Sequence, residues 1–295
     1  MSVQASDDIY LAHQDALFGL AYRMLGSVAD AEDVVAEAYL RWRRDDRGDV
    51  DNARSYLFAI TSRLALDLLK SAQRTRVNYV GSWLPEPLVT SYDDSDQPAA
   101  VAERTDTISL AFLHLLERLS PVERAVFVLR SAFDFPHAQI AEMLQLSADN
   151  ARQLYRRAQQ RLGPDGEPRY VPDLQRQREL VERFLAAAST GEVEPFAALL
   201  AEDVLLVGDG GGKAASIRVP ASGRLRIARF LRGLVRKTTA SMSFVVVRAN
   251  GAPALLVRDS GEPIGLYALD IDPAADEIRG IHAIRNPDKL ARLAP

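Results

Sequence analysis

Arg152, Gln153 and Arg156 lie near the start of a predicted helix over 148–162, and Arg157 and Arg161 follow them. Arginine is the usual bidentate partner of a guanine edge and glutamine of an adenine edge, so the first three, on one helical face, suit a major-groove reader. Arg157 and Arg161 sit further round and further along, where phosphate is the natural partner. A second basic stretch, 54–76, holds Arg54, Arg63, Lys70, Arg74 and Arg76 against Asp67 alone. Ahead of both lies an acidic run, Asp30, Glu32, Asp33 and Glu37, which repels nucleic acid and suits a basic protein surface. Two small basic patches on an acidic background imply focused phosphate contact beside a separate docking face.

The elements that must position these residues follow from periodicity. Val28, Ala31, Val34, Val35, Ala38, Tyr39 and Trp42 keep the helical period, with Ser27 as a capping start. Leu57, Ile60, Leu64 and Leu68 give a second amphipathic helix. From 71 to about 106 the pattern fails: Pro85, Pro87, Pro98, Asp93, Asp94 and Asp96 read as a linker, in which Trp83 and Leu84 are an apolar pair suited to pinning it on a neighbouring domain. Periodicity returns at 108–119. Ser120-Pro121 opens the next helix, where a proline's missing N–H is harmless. A short helix over 136–144, a turn at 145–147 and the 148–162 helix capped by Ser147 make a helix–turn–helix. Gly163-Pro-Asp-Gly-Glu-Pro168 is a second linker.

After Pro172 the character changes. Helices over 173–189 and 194–201 precede strand-like runs at 204–207, 217–219, 243–248, 254–257, 264–271 and 278–284, with one helix near 225–235. That order predicts an α+β domain on an antiparallel sheet. Asp209-Gly-Gly-Gly-Lys213 lacks phosphate-loop spacing, and its glycines suit close approach to another backbone.

Composition bounds the function. The 295 residues include no cysteine, which excludes disulfides, thiolate metal sites and thiol nucleophiles. His13, His114, His137 and His282 are too dispersed for a His-x-x-x-His metal pair, and neither metal nor cofactor is expected. No apolar run is long enough to span a membrane and the N-terminus is polar and acidic, so a cytosolic protein without membrane contact is expected. With 36 basic and 40 acidic residues the chain is no simple nucleic-acid coat.

Three segments in order carry a family resemblance: Asp30-Ala-Glu-Asp-Val-Val35, then Arg54-Ser-Tyr-Leu57 running to Asp67-Leu-Leu-Lys70, then Leu119-Ser-Pro-Val-Glu-Arg124 ahead of the helix–turn–helix. Together they resemble an extracytoplasmic function (ECF) sigma factor. The resemblance implies a region 2 over 5–76, a linker over 77–106 and a region 4 over 107–163. It implies core RNA polymerase and promoter DNA as partners. Asp30, Asp33 and Glu37 would dock on polymerase. Arg54, Tyr56 and Arg63, beside the loop at 46–53, would capture the −10 element as a single strand, which needs a basic groove and a base pocket. Arg152, Gln153, Arg156, Arg157 and Arg161 would meet the −35 duplex.

The remainder, 172–295, resembles a SnoaL-like (NTF2-like) cone. Tyr79-Val-Gly-Ser-Trp-Leu-Pro-Glu-Pro87, Asp209-Gly-Gly-Gly-Lys213 and Asn286-Pro-Asp-Lys-Leu290 resemble motifs of ECF factors that carry this extension, with Ser82 where that pattern has proline. The expected fold class is therefore multidomain: all-α region 2 and helix–turn–helix region 4, then an α+β cone that modulates the sigma activity without a separate anti-sigma protein. Trp83, Leu84, Asp209, Lys213, Asn286 and Asp288 are the expected interdomain contacts. Two rival readings remain: a helix–turn–helix regulator independent of polymerase, and a cone that binds a small effector or works as an isomerase through Asp209, Asp270 and Tyr267.

Overall fold

The computed structural model describes residues 3–44, 52–76, 78–90, 109–163, 174–272 and 275–293. The loop at 46–51, the linker residues 91–106 and the second linker at 164–168 lie outside the described residues, as do the side chains of Arg74 and Arg76. The chain divides into two compact units, one from 1–77, 97–108 and 112–168, the other from 78–96, 109–111 and 169–295.

In the first unit three helices pack together: α1 (Val3–Leu25), α2 (Val28–Arg44) and α3 (Ala53–Arg76). Their stripes, Leu17, Leu20 and Met24, then Val28, Ala31, Val35 and Trp42, then Leu57, Phe58 and Leu69, are buried. The Trp42 indole N–H donates to the Ser6 carbonyl at 2.9 Å, and the Tyr10 hydroxyl to that of Val35 at 2.7 Å. Helix α4 (Leu110–Leu116) precedes α5 (Pro121–Ser131), which starts on a capping box: the Ser120 hydroxyl accepts from the Glu123 N–H and the Glu123 carboxylate accepts from the Ser120 N–H. Helix α6 (His137–Leu144) stops at Gln145, whose φ of 56° turns the chain into α7 (Ala148–Leu162). Ser147 caps α7, accepting from the Asn150 N–H at 3.2 Å.

The long linker leads one to expect regions 2 and 4 as separate modules, yet both lie in this one unit. The cause is apolar. Phe58 on α3 sits between Phe133 and Phe135 at ring-centre distances of 4.9 and 5.0 Å, and leaving three phenylalanines in water is costly. Arg124, 1% exposed, donates to the carbonyl of Leu116 at 2.9 Å and to that of Met24 on α1 at 2.8 Å.

The second unit is α+β. Helices α8 (Leu174–Thr190), α9 (Glu194–Ala197) and α10 (Arg224–Val235) accompany a seven-stranded sheet. The strands are β1 (Val89–Thr90), β2 (Leu200–Asp209), β3 (Ala221–Ser222), β4 (Met242–Ala249), β5 (Ala252–Asp259), β6 (Glu262–Asp272) and β7 (Glu277–Ile284), in spatial order β1-β4-β5-β6-β7-β2-β3. A short helix, α11 (Pro287–Leu290), follows. Leu180, Phe184 and Phe196 pack with Ile227 and Leu231 of α10 and with Leu206, Leu255, Leu269 and Ile281 of the sheet.

Three expectations are corrected. The sheet is not wholly antiparallel, because β2 runs parallel to β7, which the long connection through α10 permits. Residues 217–219 form no strand: Val219 is 75% exposed, and the strand follows it at Ala221–Ser222, where it pairs with β2. Residues 200–201 continue β2 rather than the 194–201 helix.

Candidate nucleic-acid interface and a buried carboxylate

Helix α7, the second helix of the helix–turn–helix, is buried on one side and exposed on the other. Ala151, Leu154, Ala158 and Leu162 are buried, and Arg152, Gln153, Arg156, Arg157 and Arg161 are all exposed. They are not equivalent. Gln153 and Arg156 have no side-chain partner among the described residues, and Arg152 is paired with Asp149 at the first turn. Arg161 pairs with Glu123 at 2.9 Å and Arg157 approaches it at 3.8 Å. Burial alone would raise the Glu123 carboxyl, but hydrogen bonds from Ser120 and the two guanidinium groups outweigh it and hold it below the usual range. The two arginines expected on phosphate therefore also tie α7 to α5.

In region 2, Asp33 and Glu32 are exposed on α2, Asp30 is half-buried, and Glu37 pairs with Arg41 at 2.9 Å. Leu40, 46% exposed, completes that face. The basic residues of α3 are engaged elsewhere. Arg54 donates to the Phe133 carbonyl at 3.1 Å and lies over the Phe135 ring at 4.4 Å. Arg63 donates to the carbonyls of Met143 at 2.7 Å and Glu142 at 3.3 Å, capping the end of α6 where the helix dipole is negative. Tyr56 is half-buried, its ring 6.0 Å from that of Trp42. Asp67, the lone acid of that stretch, is exposed and 3.7 Å from Lys70.

In the second unit one carboxylate gathers three motifs. Asp209, 0% exposed, ends β2. Its Oδ1 accepts the Tyr79 hydroxyl at 2.6 Å and the Gly211 N–H at 3.0 Å. Its Oδ2 accepts the Leu84 N–H at 2.9 Å and the Lys289 ammonium at 2.7 Å. Lys289 also donates to the Leu84 carbonyl and lies 4.0 Å over the Trp83 ring. Asn286 donates to the Tyr79 oxygen at 2.9 Å and caps α11 through the Asp288 N–H at 3.1 Å. Burial and the hydrogen bond to Asp209 push the Tyr79 hydroxyl up, so it stays a donor. Gly211, at φ +60°, leaves room for the Asn286 side chain that a Cβ there would strike.

Residues 78–90 are thus no free linker. Their far end is held too: the Leu88 N–H and carbonyl bond Asn250 at 3.1 and 2.8 Å, and β1 pairs with β4. Of the expected contacts, Leu84, Asn286 and Trp83 meet around Asp209, either directly or through Tyr79 and Lys289. Lys213 and Asp288 pair with each other at 2.6 Å in solvent, 57% and 62% exposed. Tyr79 and Lys289 were not singled out from sequence, although both stand inside the quoted motifs.

The geometry separates the isomerase candidates. Strand pairing puts Tyr267 opposite Ala283 and Asp209 opposite Ile284, so the two side chains leave opposite faces of the sheet and cannot act on one substrate. Asp270, paired with Gly280, shares the Asp209 face.

Models of sigma-70 region 2 and sigma-70 region 4 match residues 9–75 and 109–162. The ECF RNA polymerase sigma factor SigJ of Mycobacterium tuberculosis is 42% identical over 224 residues, 75% of this chain and 70% of the relative. The probable ECF sigma factor SigI of the same species is 34% identical over 286 residues, 96% and 93% of the two chains. The chain belongs to the ECF RNA polymerase sigma factors. The crystal structure of M. tuberculosis SigJ matches at a TM-score of 0.76 and 32% identity, over 95% of this sigma factor and 96% of that chain. The likeness thus covers the helical unit and the α+β extension together. In the extension α8 and α9 precede most of a seven-stranded sheet and pack against it. The factor directs RNA polymerase to promoters and is not an enzyme. Among its described residues no helix is long and apolar enough to cross a membrane.

The Asp209 cluster generates a structural prediction. Asp209→Ala leaves the Lys289 ammonium buried without its carboxylate, a loss of about 3–5 kcal/mol, and frees residues 79–85, ahead of the part that Asn250 and β4 hold. Limited proteolysis should then cut within 78–90 and Trp83 emission should shift red, whereas Lys213→Ala, at an exposed pair, should change neither. Unchanged protection in Asp209→Ala would show that the carboxylate does not hold the segment.

Proposed function

We propose that the C-terminal domain controls this sigma factor by holding the connection between its two DNA-binding regions. The observation that carries the reading is that four donors on Asp209, two of them from residues 79 and 84, fix part of that connection. With 78–90 held, the rest of the connection, 91–108, is eighteen residues with a contour of at most about 60 Å; with the segment released, the contour over 77–108 grows to about 105 Å. Effective concentration falls roughly as the −3/2 power of tether length, so release alone lowers coupled binding of the two promoter elements about twofold. Run-off transcription tests this. Asp209→Ala should lose about twofold or more at limiting core polymerase and recover at saturating polymerase. Equal activity at every concentration would end the regulatory reading.

The roles of single residues are part of the same proposal. Asp30, Asp33 and Glu37 form the polymerase-docking face, supported by the exposed Asp33 and the half-buried Asp30 and Glu37 around Leu40 on α2. The double charge reversal of Asp33 and Glu37 to Lys should weaken core polymerase binding at least tenfold, read by competition with another sigma factor; undiminished affinity rejects this face.

Arg152, Gln153 and Arg156 read the −35 duplex. Arg157 and Arg161 turn to phosphate while remaining within reach of Glu123. Arg156→Ala should cost about 1–3 kcal/mol and relax base preference, whereas Arg161→Ala should weaken all sequences alike. Equal losses on specific and random duplexes would deny base readout at Arg156. Arg54, Tyr56 and Arg63 take the −10 strand, and Arg54 and Arg63 must first leave the carbonyls of Phe133, Glu142 and Met143. A factor that works on polymerase and promoter would act in the cytoplasm, and that localisation is part of the same proposal.

A further inference from the structure

Residues 172–295 hold 17 basic and 15 acidic residues, and six of the 17 fall in 224–237: Arg224, Arg226, Arg229, Arg232, Arg236 and Lys237. No aspartate or glutamate occurs there, and without these six the domain holds 11 basic against 15 acidic residues. The positive charge of the domain is thus concentrated on α10 and its end. Ile227, Ala228 and Leu231 point into the core, so the apolar side is used in folding. Arg226, Arg229, Arg236 and Lys237 are exposed, with Phe230 beside them at 39%. The nearby carboxylates of Glu202 and Glu277 take Arg224, at 3.6 and 3.3 Å. Arg226, Arg229, Arg232, Arg236 and Lys237 have no ion-pair partner among the described residues.

This arrangement works against the helix. Arg224 and Arg226 stand in the first turn, where the macrodipole favours acids, and Gly223 supplies no side-chain cap. Arg226–Arg229 and Arg229–Arg232 at i,i+3 and Arg232–Arg236 at i,i+4 are all like-charge pairs, each unfavourable in an isolated helix. A local rule broken repeatedly on an exposed face, with no gain to folding, marks a surface kept for a ligand.

We propose that the outer face of α10 is a third DNA contact of this sigma factor, one that holds the phosphate backbone of duplex DNA without reading sequence. Charge complementarity selects the occupant. Row-wise cations on a rigid helix match the dense negative charge of a duplex, about one per 1.7 Å of axis, and guanidinium groups bind phosphate in fixed geometry. A membrane surface is disfavoured because a helix lying on lipid needs its apolar stripe, and that of α10 is buried. The protein's work on promoters already brings duplex DNA alongside it.

The test uses the full chain with Arg226, Arg229 and Arg236 changed together to Gln, and a second variant with all three changed to Lys. Binding of a random-sequence duplex is followed by fluorescence anisotropy across a salt series. The Gln variant should bind at least tenfold more weakly near 0.1 M salt, and its slope of log K against log salt should shrink by about 2 to 3. The Lys variant should keep the slope. Circular dichroism should show both variants folded, since the altered side chains are exposed. An unchanged slope in the Gln variant overturns the proposal. So does a loss confined to anionic phosphatidylglycerol vesicles, or one confined to core polymerase affinity, each of which assigns the face to a different partner.

Discussion

A carboxylate buried from water is unfavourable unless every lone pair finds a donor and its charge is answered. Asp209 meets both conditions, but only when three separate stretches of chain come together. Tyr79 and Leu84 arrive from the connection between regions 2 and 4, Gly211 from the loop after β2, and Lys289 from α11. Lys289 depends on the same arrangement, since it is 11% exposed and has Asp209, the Leu84 carbonyl and the Trp83 ring as neighbours. Withdrawing the 78–90 segment would strand a buried acid and a nearly buried base together. The contact is therefore held or released as a whole, which is the property a tether control needs. The Lys213–Asp288 pair beside it, open to solvent, contributes little by comparison.

In the helical unit the corresponding work is done by arginines on carbonyl oxygens. Arg54, Arg63 and Arg124 each reach a backbone oxygen on another helix or its flanking loop, and two of the three are residues that a melted DNA strand would claim. A carbonyl is a modest partner for a guanidinium, and phosphate is a better one. The arrangement leaves Arg54 and Arg63 satisfied without burying them, so they remain available for exchange.

What sequence could reveal follows from how local each feature is. The helix–turn–helix was legible because caps and stripes are set within a few residues: Ser147 bonding Asn150, Glu123 answering Ser120, Ala151 and Leu154 facing inward. The order of helices and strands in the extension was legible from periodicity and from motif resemblance. The parallel β2–β7 pair was not, because register between strands about 75 residues apart leaves no local trace. Tyr79 and Lys289 escaped notice for the same reason: their bonds to Asp209 span 130 and 80 residues. Composition misled in 78–90, where prolines and serine read as linker although Leu84 is buried at 1% exposure. Region 4 looked like a free module because the Phe58–Phe133–Phe135 contact pairs aromatics that are individually unremarkable.

That aromatic contact also orders events on the proposed reading. Regions 2 and 4 cannot engage two separated promoter elements while Phe58 lies between Phe133 and Phe135 and Arg124 is bonded to Met24. Parting them exposes three phenylalanine rings and leaves Arg124 short of an acceptor, a loss of several kcal/mol. DNA phosphates answer the arginines but offer nothing to the rings. A protein surface supplies both apolar cover and counter-charge, and the acidic α2 face with exposed Leu40 already points to one. Docking on polymerase therefore precedes coupled reading of the two elements. The α10 face stands outside this order: its cations are exposed before any opening, so it can hold duplex DNA while regions 2 and 4 are still closed.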